Sequence, residues 1–505
     1  MLIVVDDLND YVTGMGGHPQ ATTPHLEELA RSGVAFSHAY SNNPVCAPSR
    51  SSFLTGIYPH TSGNFYWGKW FENPVLAESR TLMEYFRDNG YHVAGSGKLM
   101  HHFRREVWSE FGHKADYGPV VYDGAEWVAH PTVPQPFRSI GAIDGSFGPL
   151  SDVPYRDDPD KGWIYGTYGD EVQRFHYTDE NDRSLTPDER NAEWAVERLR
   201  EFARDPSGPP FFLAVGFIRP HTPLHAPKRF FDMFPLDEIE LPPLKAGDVQ
   251  DTHFLPLLAE DAKGPRYYRL LGESYPTIED GLRAFTRAYL ACTTFVDELI
   301  GQVVDAVDEG PLAKNTIVVV VSDHGFHTGQ KDYVFKDSPW EESTRIPFVV
   351  RAPGVTVPGG VADQPVSLID LYPTLRDLCG LEKDTRKGPR GRPLDGFSLR
   401  PLLARPDGGT WDGPDGALTM VFAGQTARDP ADPQQQHWSL RTRHWRYILY
   451  NNGAEELYDH EADPHEWVNL ADQPEHRARK DKLRRQMEQM ISGEDSAAVG
   501  PAVTR

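Results

Sequence analysis

One cysteine, an arginine four residues beyond it and two acidic pairs are the side chains of this sequence whose types and spacing could do chemistry. Cys46 opens the run CAPSRSSFLTG, with Arg50 as its fifth residue. A helix starting near Pro48 would put both on one side and turn its positive end toward an anion. Asp6 and Asp7 follow the apolar run LIVV, and Asp323 and His324 follow IVVVVS. Carboxylates delivered at strand ends suit a hard cation such as calcium or magnesium, whereas an acidic pair taken alone reads equally well as a helix cap or a solvated cluster. Lys98 and His101 stand in SGKLMHH, His221 stands in IRPHTP, and Lys336 lies twelve residues past His324. Taken singly, a Lys or His in such a loop is a solvated residue.

The elements that must position these groups are strands. LIVV and FFLAVGF read as buried parallel strands, and five consecutive β-branched residues from Ile317 to Val321 suit a central strand covered on both faces. In such sheets ligands bind at the carboxyl ends of the strands, where the polar clusters stand. Between them PHLEELARSG carries Pro24 near its start and Gly33 at its end, the punctuation of a helix, and SRTLMEYFRDNGYHVAGSGK repeats the helix–strand scheme up to Lys98. The alternation predicts a doubly wound, mostly parallel α/β sheet. Residues 113–190 and 235–280, rich in Pro, Gly, Asp and Tyr, read as long insertions that shape a site. Past a basic and Gly/Pro-rich stretch at residues 380–416, the runs ALTMVFAG, HWSLRTRHWRYILY and EELYD predict a small antiparallel sheet, and DKLRRQMEQMISG a final helix.

Composition narrows the partners. The 505 residues carry 74 acidic against 51 basic side chains, a formal charge of −23, which excludes nucleic acid as the main partner and requires that cations be concentrated locally if the substrate is an anion. Three cysteines, Cys46, Cys292 and Cys379, make no disulfide framework. No apolar run approaches the roughly 20 residues of a membrane span. The start at MLIVVDD shows neither a basic segment nor a cleavage site, so the expected location is periplasmic or extracellular if an upstream signal has been removed and cytoplasmic otherwise.

The pattern C-x-P-S-R-x-x-x-L-T-G, seven fixed positions in eleven, resembles the signature of type-I sulfatases, the formylglycine-dependent branch of the alkaline phosphatase superfamily. The stretches VDDLND, GHPQATTPHLEELA, GKLMHH, RPHTP and ELYDHEADPHEWVNLA are similar to the iduronate-2-sulfatase-like members. The resemblance implies an α/β fold of the alkaline-phosphatase type, with a large mixed, mostly parallel sheet flanked by helices in a catalytic domain over residues 1–385, and a C-terminal subdomain with a small antiparallel sheet over 386–505. It implies one Ca2+, with Mg2+ as the alternative, held by Asp6, Asp7, Asp323, His324 and residue 46, and Cys46 oxidised to formylglycine by a maturation enzyme of the formylglycine-generating or anaerobic type. In that reading Arg50 and Lys98 hold the hydrate and the sulfate, His101 takes a proton from the hydrate, and His221 and Lys336 meet the leaving group.

The implied activity is hydrolysis of a sulfated carbohydrate, a 2-O-sulfated uronate or another polysaccharide-derived oligosaccharide, through a covalent sulfoenzyme. Two alternatives stand beside it: a phosphonate or phosphate ester hydrolase of the same superfamily, and a non-catalytic glycan-binding relative if Cys46 stays a thiol. The chain departs from many relatives after SDHG, where Gln330-Lys331-Asp332 replaces an EHG stretch; His327 and Lys331 there are either substrate contacts or solvated loop residues. The aromatic run NFYWGKWF and Tyr165, Tyr168 and Tyr177 suit either sugar stacking or packing.

Overall fold

The computed structural model describes residues 1–153, 160–166, 173–205 and 207–493. Eight strands form the large sheet: β1 (Leu2–Val5), β2 (Val34–Phe36), β3 (His92–Gly97), β4 (Glu110–Lys114), β5 (Phe211–Phe217), β6 (Val318–Ser322), β7 (Phe348–Arg351) and β8 (Gly360–Ala362), in the spatial order β8-β2-β7-β6-β1-β5-β3-β4. β7 runs antiparallel to both of its neighbours, and every other pairing is parallel. The helices that position or cover the site are α1 (Pro24–Ser32), α2 (Cys46–Thr55), α3 (Leu82–Asp88), α4 (Pro187–Arg204), α5 (Ile278–Asp308) and, at the end of the chain, α6 (Arg477–Ser492).

Both faces of the sheet are buried, which is why its central strands read as unbroken apolar runs. Ile3, Val5, Leu213, Val215, Val318 and Val320 point into one core with Leu26 and Leu29 of α1 and most of α5. Their alternate neighbours Leu2, Val4, Phe212, Ala214, Val319 and Val321 point into the other, with Phe53 and Leu54 of α2 and Leu82, Met83 and Phe86 of α3. Thr81 and Glu84 close a reciprocal capping box at the start of α3, so its onset is set by two side chains.

Register decides where the chemistry goes. Val5 is paired with Phe217 on one side and Ser322 on the other, and Gly216 with Gly97. The residues after β1, β3, β5 and β6 therefore leave the sheet along one edge, bringing Asp6-Asp7, Lys98, the loop to His221 and Asp323-His324 to one place. The Gly97–Gly216 pair permits this closeness: a Cβ on Gly97, where φ is +84°, would collide with the Gly216 carbonyl, and one on Gly216 with the backbone of Lys98.

The C-terminal sheet has four antiparallel strands in sequence order, β9 (Gly416–Val421), β10 (His437–Thr442), β11 (Trp445–Leu449) and β12 (Glu455–Asp459). One face packs Leu418, Met420, Leu440 and Leu457 beneath Leu483 and Met487 of α6. The other sets Val421, Ile448 and Tyr458 against Phe254, Tyr333 and Trp340. The segment between the sheets is shared, since Leu399, Leu402 and Leu403 pack in the core of the large sheet. The first long insertion builds a three-stranded sheet over Val120–Tyr122, Trp127–Val128 and Gly162–Ile164, against whose core Tyr165 and Tyr177 pack; Tyr168 lies outside the described residues.

Candidate functional site

The expected site residues converge. Asp6, Asp7, Cys46 and His324 each offer a ligand atom within 4.8 Å of the others, and all four are buried. Cys46 is the first residue of α2, two positions earlier than the Pro48 start read from sequence. Val45 is extended, and Pro48 sits in the first turn, where no backbone N–H is needed. The Cys46 side chain thus stands at the positive end of a helix in which every residue is buried.

Two lysines bracket the aspartates in the same way. Lys336 Nζ lies 2.7 Å from Asp7 Oδ1 and 3.1 Å from Cys46 Sγ, and Lys98 pairs with Asp6 Oδ2. Each lysine takes one oxygen and leaves the other: Asp6 Oδ1 and Asp7 Oδ2 are buried without a hydrogen-bond partner. Orphaned carboxylate oxygens are costly in a protein interior, and two of them facing one cluster are what a hard cation would satisfy. Burial, outweighing Lys336 and His324, pushes the Asp7 carboxyl up to about 7, a further sign of missing positive charge. Burial also acts to raise Asp6, yet Lys98, with Arg50 and Lys336, holds it well below the carboxylate range. Asp7 adopts a left-handed backbone, φ +61°, which Asp tolerates better than most residues.

Asp323 borders this group rather than joining it. Its Oδ2 accepts from Arg50 Nε at 2.8 Å, and its Oδ1 accepts from the backbone N–H of His324 at 3.0 Å and of Asp7 at 3.3 Å. His324 Nε2 is 3.3 Å from Cys46 Sγ and 3.6 Å from Asp323 Oδ2. Arg50 donates through Nη1 to the carbonyls of Lys98 and Leu99, and its Nη2, 3.5 Å from Asp6 Oδ1, has no hydrogen-bond partner. One N–H group of Arg50 is thus free to meet an anion, while the rest of the guanidinium fixes the site.

His221 follows β5 in a loop whose backbone N–H groups at Ile218 and Arg219 are held by Asp188 of α4, at 2.8 and 3.0 Å. Its Nδ1 donates to the Thr222 carbonyl at 2.6 Å, so Nε2, 3.9 Å from Asp7 Oδ2, is the bare acceptor. Burial, reinforced by Lys336 and Lys98, keeps the ring neutral. His101 is neutral for the same reason, with burial and then Lys98 lowering it to about 3; its buried Nδ1 has no partner, and its ring packs 4.8 Å from Trp67. Burial and then Asp6 push the Cys46 thiol up against the pull of Lys336 and Lys98, so the unmodified side chain is not a ready thiolate.

Of three further neighbours, Tyr117 and Asp337 carry no sequence signal and Tyr66 lies in the aromatic run NFYWGKWF. The Tyr117 ring lies beneath Lys98 Nζ at 4.9 Å and 5.1 Å from the His221 ring. Tyr66 stacks on Phe422 of the C-terminal subdomain at 4.7 Å and meets Trp67, which is 43% exposed, edge-on at 5.3 Å. Asp337 follows Lys336 directly. By contrast His327 and Lys331 are not solvated: both are buried, His327 bonded to Ser338 at 2.7 Å and Lys331 to Asp248 at 3.0 Å.

A cysteine at a helix N-terminus, three buried cations and two carboxylate oxygens left without partners can bind a tetrahedral anionic ester and stabilise charge as one of its bonds breaks. Comparison with known proteins agrees with this chemistry. The Sulfatase family model matches residues 1–381, and that of the N-sulphoglucosamine sulphohydrolase C-terminal region matches residues 329–493. A sulfatase of Formosa agariphila is 31% identical over 481 residues, covering 93% of this chain and 82% of its own. Iduronate 2-sulfatase of Mus musculus is 30% identical over 416 residues, covering 75% and 68%. In fold the chain is similar to a phosphonate monoester hydrolase of Silicibacter pomeroyi, with a TM-score of 0.70 at 23% identity, covering 98% of this chain and 95% of that one.

Proposed function

The chain belongs to the sulfatase family and is a sulfuric ester hydrolase, and on that premise we propose that it removes sulfate from a sulfated carbohydrate, using Cys46 in its formylglycine form and one bound calcium ion. The observation that carries the reading is the pair of orphaned oxygens, Asp6 Oδ1 and Asp7 Oδ2, beside a Cys46 that Lys336 and His324 touch. Asp6, Asp7, His324 and residue 46 would hold the ion, with Asp323 behind them. When bound, it supplies fixed positive charge at the nucleophile and the sulfate. Formylglycine supplies, once hydrated, a nucleophilic hydroxyl and a second hydroxyl whose loss of a proton releases sulfate.

The residues of the chain have separable tasks. Lys98, Lys336 and the free Nη2 of Arg50 bind the sulfate oxygens and stabilise charge on them. His221, neutral with Nε2 bare, receives a proton before it can return one to the leaving alcohol, and Lys336 stabilises the charge on that oxygen. His101, neutral with its own nitrogen unpartnered, is suited to accept a proton in the release step. Trp67, exposed beside His101, offers a flat apolar surface to a sugar ring, which supports a carbohydrate as the alcohol.

The test is sulfate release, read by ion chromatography, from 2-O-sulfated uronates, sulfated galactans, and ulvan and heparan fragments, with matched aryl sulfate and aryl phosphate. Release from a sugar is the expected result. Cleavage of aryl sulfate alone would discard the sugar, and faster cleavage of the phosphate ester would favour the phosphonate or phosphate hydrolase reading instead.

A further inference from the structure

One polar atom next to the reacting centre has no part in the chemistry of sulfate transfer. Asp337 follows Lys336, its N–H donates to the Pro44 carbonyl at 3.1 Å, and its own carbonyl receives the Tyr333 hydroxyl at 3.5 Å. Pinned at both backbone atoms, by a partner, Pro44, that precedes Cys46 by two residues, it takes a left-handed backbone, φ +70°. Its Oδ1 is buried with no hydrogen-bond partner. Strained backbone persists only where its surroundings over-determine it, and such positions cluster at active sites and ligand clamps. Asn43, next to Pro44, donates from Nδ2 to the Phe65 carbonyl at 3.2 Å, so the segments that carry Tyr66–Trp67 and Asp337 pack on the same two residues beside Cys46.

A carboxylate here cannot serve the sulfate, which it repels. It can serve a hydrogen-bond donor on the carbon skeleton that carries the sulfate: burial pushes the Asp337 carboxyl up to about 7, and above that pH its ionised oxygens accept more strongly than neutral ones. An apolar ring face beside a single acceptor matches the two surfaces of a sugar: C–H groups against the aromatic, a hydroxyl toward the acid. Resting on the carbohydrate reading, we infer that Asp337 is a specificity-determining residue, its free Oδ1 accepting a hydrogen bond from a hydroxyl of the sulfated sugar laid against Tyr66 and Trp67.

Steady-state kinetics of wild type, D337G and D337N test this, with 4-nitrophenyl sulfate and the best-cleaved of a set of monosulfated methyl glycosides of galactose, glucose and uronic acid. Glycine holds this φ without strain, and Asn keeps the shape while removing the charge. Loss of a hydrogen bond to a charged group corresponds to about a tenfold to hundredfold loss of kcat/KM. D337G should lose that much on the glycoside, chiefly through KM, with D337N losing less and 4-nitrophenyl sulfate changing less than about twofold. A glycoside deoxygenated beside the sulfate should show the loss in wild type and no further loss in D337G. Equal losses on both substrates, or none on the glycoside, would overturn the inference and leave the carbohydrate reading standing. A wild type that cleaves 4-nitrophenyl sulfate but no glycoside would overturn both.

Discussion

Two clusters of acids and bases, alike in composition, differ in whether they are complete. Under the C-terminal sheet, Glu466 is paired with Arg446 and lies 2.9 Å from His460; Glu341 is paired with Arg446, 3.2 Å from Arg441 Nε, and accepts from the Tyr40 hydroxyl at 3.0 Å. Glu341, His460 and Glu466 also have the spacing of a metal site, yet none of their buried polar atoms lacks a partner. At the nucleophile Asp6, Asp7 and Arg50 each keep one atom unpartnered. In a chain with 74 acidic residues, clustering alone does not mark a site. Several unsatisfied atoms gathered inside one cluster do, because each buried polar atom left without a partner is costly and together they call for a shared one.

The contrast is broken most sharply by substitution. Cys46→Ala should abolish sulfate release by at least about a thousandfold while leaving the melting temperature nearly unchanged, since the loss of a nucleophile removes the chemistry rather than the fold. Arg446→Ala should do the reverse. It leaves Glu466 and Glu341 buried without their common partner, at a cost of about 3–5 kcal/mol, visible in denaturant unfolding. Stability losses of similar size from both variants would erase the distinction.

Ions and protons sharpen it. Calcium at a hundred times its dissociation constant should stabilise the chain by about 2.7 kcal/mol, and EDTA should remove that gain together with activity. Asp7→Asn should weaken the response, Glu466→Gln should not, and one ion per chain is the expected stoichiometry; two would mean that the lower cluster also binds. For pH the sign follows from Glu466. Burial works to raise it, but Arg446 and His460 prevail and hold it down at about 2, below its ordinary 4.5. Its contribution is present above 4.5 and lost as pH falls toward 2, so acid should weaken the C-terminal sheet over that range and do so less in the Arg446→Ala variant. The smallest effect belongs to the rim, where Trp67→Ala should raise KM for a sulfated sugar about threefold to tenfold by removing one ring contact.

The sequence carried the centre of this site further than its edge. Asp6, Asp7, Asp323, His324 and Lys98 were legible because strands buried on both faces print unbroken apolar runs and deliver the polar residues after them at one end. Cys46 and Arg50 were legible through their motif, although α2 starts at Cys46 because Pro48 is tolerated within the first turn. The 31-residue α5 was left unread although it is amphipathic, with Arg283, Arg287, Glu298 and Asp305 on one side outside its buried positions. Tyr117 and Asp337 were not legible at all, and Tyr66 only as one member of the aromatic run NFYWGKWF. Their roles depend on contacts between segments far apart in the chain, such as Tyr66 with Phe422, and no spacing records those. Lys331 looked like a loop residue because its partner, Asp248, lies in a distant insertion.

The most direct measurement is sulfate release per chain across samples whose Cys46 is converted to formylglycine to different extents, with the converted fraction read by mass spectrometry of the peptide that contains it. Turnover rising in proportion to the converted fraction, and vanishing at zero, is the predicted result. Full sulfate release from chains whose Cys46 is an unmodified thiol would contradict the account at its centre.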